Sequence, residues 1–379
     1  MRLLSSRRTQ LNTSPHSLFT VYRSLFTLRS SLPTVYRLLF TAYCSLFTTH
    51  RSLLTTYCIL FTVHCPLFTA HAAPYPATVL SNSSLTVRVY LPDATNGYYR
   101  GSRFDGSGMI AQVDYKGHTF FGELKGPHNP KVDDHGCGPC EEFGMREPLG
   151  FREAAPGGAF IKIGVGRLVK TGANYFFNGG YRIAEPGEWK IRREGPGRLR
   201  FEQTLSDTNG WGYQYTKELI LTDEPAVLRI ARTLRNTGTR RIVTDHYSHN
   251  MFIFDRVPIG KAYRLVLPFA PEATPAPSGA TTLRGNVIEF GQDPLTSTFW
   301  TALTGFSTPA HNGVRVETPG LGLALEIKTD LAPSKYEVYA EQAALCPEPF
   351  VALDVEPGAS LTWTTELRFS AAAVKETKH

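Results

Sequence analysis

Residues 234–255 read as two β-strands joined by a tight turn at residues 236–239, where Asn, Thr and Gly favour reversal of the chain. The second strand is polar where a core strand would be apolar. Because side chains alternate along a strand, its polar residues divide between two faces. One face carries Asp245, Tyr247 and His249, and the opposite face carries His246, Ser248 and Asn250.

A histidine beside a carboxylate and a phenol is suited to proton transfer, since the unperturbed pKa of imidazole lies near neutrality. The alternative for such a histidine pair is purely structural: two side chains that cap or decorate an edge strand. The strand therefore carries candidate acid–base residues, and the alternative stays open at this point.

The rest of the chain favours an all-β fold. Short alternating segments bounded by Gly and Pro recur from residue 85 to residue 369, and convincing amphipathic helices are few. The 33 Gly and 26 Pro suit a turn-rich β protein better than a helical bundle. The Gly-x-Gly at 164–166 lacks the third glycine of a dinucleotide fingerprint, which excludes that kind of nucleotide site.

The net charge of +7 does not describe the body of the chain. Residues 1–75 contain seven Arg and no acidic residue, so the remainder carries 33 basic and 33 acidic groups out of totals of 40 and 33. A nucleic-acid-binding domain needs basic residues clustered on its folded surface. We therefore expect no nucleic-acid partner.

Residues 17–72 form eight heptads of the type Ser-Leu-Phe-Thr-x-x-x. Adjacent Leu-Phe pairs, a Thr in every unit and internal prolines oppose a coiled coil, so we expect no stable fold in residues 1–75. The segment also resembles a targeting peptide, which makes secretion one interpretation and the cytoplasm the other. The chain contains no uninterrupted run of about 18 apolar residues, so we expect no membrane span. The predicted domain covers residues 76–372, followed by a tail at 373–379.

Cys137 and Cys140 have the Cys-Gly-Pro-Cys spelling of a redox motif but lack the strand-then-helix setting that makes such a motif active. His135 and the neighbouring aspartates would allow a metal there. A loop disulfide or two unreactive thiols is the favoured interpretation, and we assign no metal ligand and no cofactor.

An aromatic pair follows in the turn at residues 207–213, which reads Asp-Thr-Asn-Gly-Trp-Gly-Tyr. Exposed Trp211 and Tyr213 would suit the stacking of a sugar ring. A buried aromatic corner is the structural alternative. Tyr213 is therefore a candidate substrate-binding residue.

The strand with the two histidines resembles the aldose 1-epimerase (galactose mutarotase) superfamily, in which a strand ending Asn-Thr-Gly is followed by one with Asn-His-x-Tyr/Phe-Phe. The corresponding run here is 248–252, Ser-His-Asn-Met-Phe. In this register His249 takes the place of the catalytic acid. A second register, Thr-Asp-His at 244–246, would select His246 instead. His249 is preferred because Phe252 follows it at the right distance.

The C-terminal stretch resembles the closing motif of the same superfamily, a Cys-x-Glu whose carboxylate is the general base. Here Cys346-Pro347-Glu348 is followed by Pro357-Gly358 and a last strand, a spacing closer to the hexose-phosphate epimerase branch. Two prolines hold Glu348 rigidly, and partial burial would raise its pKa toward that of a useful base. Glu341 is the competing choice.

The resemblance implies a galactose mutarotase-like β-supersandwich of large antiparallel sheets, in which loops over the sheet build the cleft. Arg103 and Glu142, with Tyr213 and His246, are then expected to bind the hydroxyls and ring of a small sugar. His249 and Glu348 would interconvert its anomers by acid–base catalysis without a cofactor. The Asn-Arg and His-Pro-x-His-Gly substrate motifs of the family are not found near the front of the chain.

Two other functions fit the same residues. One is a sugar-binding domain without turnover. The other is a lyase or hydrolase of uronic or deoxy sugars, in which Arg103 would pair with a substrate carboxylate while His249 or Tyr247 abstracts a proton.

Overall fold

The computed structural model describes residues 75–123 and 125–372. These residues form β-strands and two short 3₁₀ turns, Phe254–Arg256 and Pro309–His311. The predicted all-β class, with large antiparallel sheets, is confirmed. No helix in this part of the chain is long and apolar enough to cross a bilayer. The predictions for the heptad repeats and for the C-terminal tail fall on residues outside the described ones.

The largest sheet has ten antiparallel strands in the order β16-β17-β14-β19-β20-β23-β12-β11-β10-β9. Its strands are β9 (Glu188–Arg193), β10 (Arg198–Ser206), β11 (Gly212–Thr222), β12 (Val227–Asn236), β14 (Arg264–Val266), β16 (Thr281–Arg284), β17 (Val287–Phe290), β19 (Gly313–Thr318), β20 (Leu323–Thr329) and β23 (Ser360–Ala371).

A second sheet of six strands, in the order β15-β18-β21-β22-β13-β5, carries the candidate acid–base residues. Its strands are β5 (Pro139–Phe143), β13 (Ile242–Asn250), β15 (Glu272–Thr274), β18 (Phe299–Thr304), β21 (Lys335–Glu341) and β22 (Ala344–Val355).

Two small sheets complete the fold. One has four strands, β1 (Ala77–Ser81), β2 (Leu85–Tyr90), β3 (Met109–Tyr115) and β4 (His118–Thr119), and the other has three, β6 (Ala159–Lys162), β7 (Gly166–Val169) and β8 (Ile183–Glu185).

The predicted turn between β12 and β13 exists, but the two strands do not pair with each other. Strand β12 lies in the ten-stranded sheet and β13 in the six-stranded sheet. The turn binds the connection between β10 and β11. The Thr239 amide donates to the Gly210 carbonyl at 2.9 Å, and the Thr237 amide donates to the carbonyl of Gly212, the first residue of β11, at 3.0 Å. The connection therefore carries the chain from one sheet to the other.

The two large sheets pack against each other through an apolar and aromatic layer. Alternate residues of β10 and β11 are buried, as expected of strands with one covered face. Trp363 of the ten-stranded sheet is fully buried and meets the Phe143 ring of the six-stranded sheet edge-on, with ring centres 6.1 Å apart. Burial of such large aromatic side chains contributes much of the packing energy of a β-sandwich.

A cluster of charged side chains is buried in the same layer. Glu141 of β5 receives hydrogen bonds from the Arg232 Nε of β12 at 3.0 Å and lies 3.1 Å from the Lys217 Nζ of β11. Burial raises the pKa of Glu141, but Arg232 and Lys217 outweigh it and hold the pKa well below its ordinary value. The ionised carboxylate thus joins the two sheets.

Loss of Arg232 is expected to destabilise the fold strongly, because it leaves the Glu141 charge buried with only part of its compensation. Arg232→Met should lower the free energy of unfolding by about 3–5 kcal/mol, measured by denaturant unfolding. The double variant Arg232→Met/Glu141→Gln should be more stable than the sum of the two single changes predicts. Strict additivity would show that the two side chains do not interact.

His246 should make stability depend on pH. Burial lowers its pKa from 6.5 to about 4. Above pH 6.5 the folded and unfolded chains both hold it neutral, but as the pH falls toward 4 only the unfolded chain takes up the proton. About 3 kcal/mol of stability should be lost over that window. In His246→Gln the slope of unfolding free energy against pH should be shallower there, and an unchanged slope would contradict the assignment.

Candidate functional site

Strands β13 and β22 place His249 and Glu348 opposite each other. The paired residues run from Ile242–Val355 to His246–Val351, and a further bridge joins Phe252 to Leu345. The same register, continued between these points, sets His249 against Glu348. The regular ladder is interrupted there because Pro347 and Pro349 have no N–H to donate.

The two functional groups are in contact and nearly sealed from water. The His249 Nδ1 lies 3.1 Å from the Glu348 Oε1, and the two residues are 6% and 5% exposed. Neither of these two atoms makes a hydrogen bond of good geometry. A polar atom that is buried without such a bond carries a desolvation penalty, so this contact costs stability and makes the pair a candidate functional site.

Burial moves the two pKa values in opposite directions. It raises the pKa of Glu348 to about 8. It lowers the pKa of His249 well below the ordinary value, with the positive charges of Arg103 and Lys125 acting in the same direction. At neutral pH the pair therefore holds one proton, on the carboxyl group, beside a neutral imidazole. This reverses the resting proton positions implied by the family resemblance, in which Glu348 is the base.

Cys346 joins the pair on the same face of the sheet. One ligand atom from each residue, the Cys346 Sγ, a His249 ring nitrogen and a Glu348 carboxylate oxygen, lies within 4.8 Å of the other two, and all three residues are buried. A thiol, an imidazole and a carboxylate are the three side chains that most often bind Zn²⁺. These three residues are therefore the ones that would hold a metal.

The predicted substrate-binding residues Arg103 and Glu142 bind each other. The Arg103 Nε donates to the Glu142 carboxylate at 2.9 Å, and both residues are buried. Glu142 also accepts from the Lys162 Nζ at 2.7 Å and from the Tyr247 hydroxyl at 2.7 Å. Arg103 donates further to Asp134 and Tyr247. This network braces β5, β6 and β13 beside the acid–base pair.

His246, a candidate substrate-binding residue, does not share the face of β13 that carries His249. The residue lies on the face of β13 that packs into the layer between the sheets, where its ring is 5.2 Å from that of Trp363 and 4.6 Å from that of Phe143. The alternation that brings His249 to the site necessarily turns His246 away from it. His246 instead belongs to the surroundings of Glu141, with its Nε2 3.6 Å from that carboxylate.

Tyr213, a candidate substrate-binding residue, is not exposed. The residue is fully buried, and its hydroxyl donates to Gln203 at 2.6 Å. The structural alternative, a buried aromatic corner, holds because Tyr213 already lies on β11 and faces the other sheet. Trp211, half-buried, is covered by the Arg240 guanidinium at 5.1 Å.

The Cys137 and Cys140 thiols are free and buried. The Cys140 thiol donates to the Cys137 carbonyl at 3.0 Å, and burial raises its pKa to about 12. A thiol that stays protonated is a poor nucleophile. The interpretation as two unreactive thiols is therefore the one that the structure supports over a disulfide.

Several residues beside the pair were not singled out from the sequence. Tyr339 lies edge-on to the His249 ring with centres 5.9 Å apart, and its cross-strand partner Trp300 is 45% exposed. Glu337 stands opposite Glu348 and is paired with Lys335 at 2.8 Å. The sequence did contain a pattern for these residues: alternation along Lys335–Glu341 puts Lys335, Glu337, Tyr339 and Glu341 on one face of the strand. Only the register with β22 shows that this face is the one that carries Glu348.

Comparison with known proteins shows the fold. No protein-family model and no curated protein matches the chain. Among solved structures, the Slr1438 protein of Synechocystis sp. PCC 6803 is 16% identical, with a TM-score of 0.51 over 79% of this chain and 96% of that one. This likeness shows a shared fold.

Two other solved structures bear names from the family that the sequence resembles. A galactose mutarotase-like protein from Lactobacillus casei is 10% identical, with a TM-score of 0.48 over 78% of this chain and all of the other. An aldose epimerase homologue from C. elegans is 13% identical, with a TM-score of 0.45 over 79% of this chain and 100% of the other.

Proposed function

We propose that the protein is an aldose 1-epimerase-like isomerase that interconverts the anomers of a small sugar. The observation that carries this proposal is the 3.1 Å contact between the His249 Nδ1 and the Glu348 Oε1, two buried atoms of proton-carrying groups that make no hydrogen bond of good geometry. The short Ser-His-Asn-Met-Phe and Cys-Pro-Glu motifs that hold these two residues support it.

Anomer exchange needs one group to donate a proton and one to accept a proton. One member of the pair protonates the ring oxygen while the other takes the proton of the C1 hydroxyl, which opens the ring. Rotation about the C1–C2 bond and reversal of the two transfers closes the other anomer. The pKa shifts of both residues favour a start in which the Glu348 carboxyl group donates its proton and the neutral His249 imidazole accepts one.

The sugar has to separate the pair, since a 3.1 Å contact leaves no room for another atom between them. The approach that we propose runs along the face of the six-stranded sheet that carries Tyr339 and Trp300. Aromatic rings of this kind stack on the apolar face of a sugar, while the Glu337 and Glu341 carboxylates on the same face would accept hydrogen bonds from hydroxyls. Lys335 lies in the same row and neutralises Glu337.

The lyase alternative is less well supported because Arg103 donates from all three of its nitrogens to groups of the protein. A guanidinium that is held in this way is not offered to a substrate carboxylate. A binding module without turnover would use the same face but would not need an acid–base pair. A measured rate of anomer exchange therefore distinguishes the isomerase from the binding module.

The isomerase should accelerate exchange between the anomers of at least one free aldose or hexose phosphate in saturation-transfer NMR on the full chain. His249→Ala and Glu348→Gln should each lower the enzymatic rate by about 10²–10⁴-fold, since each removes one proton carrier. Matched controls are His311→Ala and Glu356→Gln, which change the same residue types away from the pair and should keep the wild-type rate.

Rates in His249→Ala and Glu348→Gln that equal the wild-type rate would refute the assignment of these residues. Binding of a sugar without any acceleration would favour the non-catalytic module. A product with new ultraviolet absorbance would favour the lyase, because elimination creates an unsaturated sugar and anomer exchange does not.

A further inference from the structure

We propose that His249, Cys346 and Glu348 form a binding site for a thiophilic divalent cation such as Zn²⁺, and that an occupied site inhibits the isomerase. The first part stands on the arrangement of the three side chains alone. The inhibition rests on the proposed function, because it assumes that the same histidine and glutamate move protons.

The geometry is close to that of a tetrahedral zinc site. Zn²⁺ lies about 2.0–2.3 Å from its ligands, which places neighbouring ligand atoms about 3.3–3.8 Å apart. The His249 Nδ1 and the Glu348 Oε1 are already 3.1 Å apart, and one ligand atom from each of the three residues lies within 4.8 Å of the other two. Small side-chain movements would bring the set to coordination distances.

Unsatisfied polar atoms point to a ligand at this place. The His249 Nδ1 and the Glu348 Oε1 are buried in residues that are 94% and 95% covered, and neither atom makes a hydrogen bond of good geometry. A cation shared between them would supply the missing interaction for both. Cys346 is a free, fully buried thiol on the same strand, two residues before Glu348.

The donor set selects the class of cation. One sulfur, one imidazole nitrogen and one carboxylate oxygen are preferred by Zn²⁺, whereas Mg²⁺ and Ca²⁺ prefer oxygen ligands. Three protein ligands leave a fourth position for water or a small anion, as in catalytic zinc sites. Among the residues that the structure describes, no other group of three His, Cys, Asp or Glu side chains converges in this way.

The other two described thiols do not compete for this role. The Cys137 Sγ faces the Ile110 carbonyl at 3.8 Å, and the Cys140 Sγ donates to the Cys137 carbonyl at 3.0 Å. Cys137 therefore offers a matched control: it is a buried thiol like Cys346, but it lies outside the proposed ligand set.

Inhibition follows from the chemistry of the ligands. An imidazole nitrogen and a carboxylate oxygen that donate their lone pairs to Zn²⁺ can no longer accept a proton through those atoms. Removal of the cation by a chelator would return both groups to proton transfer. The site would thus make a sugar isomerase sensitive to free zinc.

Cobalt provides the direct test, because Co²⁺ takes zinc sites and its bond to a thiolate gives a strong near-ultraviolet charge-transfer absorption. Titration of Co²⁺ into the full chain should produce this absorption with an endpoint at one equivalent for this site. Cys346→Ser and Cys346→Ala should each lose that component, and His249→Ala should bind Co²⁺ at least tenfold more weakly. Cys137→Ser should behave as the wild type, and circular dichroism establishes that each variant is folded.

Zinc and the isomerase rate give a second, separate readout. The rate of anomer exchange by the wild type should fall at least tenfold in excess Zn²⁺ and recover when a chelator is added. In Cys346→Ser, excess Zn²⁺ should lower the rate of anomer exchange by a smaller factor, measured against the metal-free rate of the same variant. Absence of the cobalt band, or a band that both Cys346 variants keep, would overturn the metal site. A normal cobalt titration without any isomerase activity would overturn the proposed function and leave the metal site standing.

Discussion

Two neighbouring glutamates on one strand organise the whole site. Glu141 and Glu142 follow each other on β5, so their side chains leave the sheet on opposite faces. Glu141 contacts Arg232 and Lys217 of the ten-stranded sheet. Glu142 contacts Arg103, in the segment between β2 and β3, and Lys162 of β6. Each buried carboxylate is paired with two cations, which offsets the large cost of removing the charges from water. Strand β5 is thereby held on both faces, and it positions its neighbour β13.

Strand β13 repeats the same division with histidines. His246 stands in the layer between the sheets and His249 stands on the outer face, three residues further along. The two rings have the same chemistry and meet different surroundings, so one serves packing and the other faces Glu348. The prolines on both sides of Glu348 then open the ladder where the pair meets. The packing of one face and the candidate site on the other are thus consequences of one backbone geometry.

The fold and the chemistry rest on different kinds of support. A shared fold with the Synechocystis protein at 16% identity concerns the course of the backbone. Proton transfer is supported by the side chains themselves. The His249 Nδ1 and the Glu348 Oε1 are 3.1 Å apart, and burial lowers the pKa of the histidine while it raises the pKa of the glutamate. The proposed cation site uses the same two side chains, because a lone pair that accepts a proton can also bind a metal ion. The proposed catalysis and the proposed metal inhibition therefore depend on one constellation.

The sequence by itself determined the all-β class and the two faces of residues 242–250, because side-chain alternation is a local property of an extended chain. The resemblance of two short motifs to those of the aldose 1-epimerase superfamily also singled out His249 and Glu348. Only the tertiary structure decided that Tyr213 is buried, that Arg103 pairs with Glu142 across 39 residues, and that Cys346 joins the acid–base pair. Each of these depends on which strands become neighbours and on which segments cover them, and no local pattern of residues carries that information.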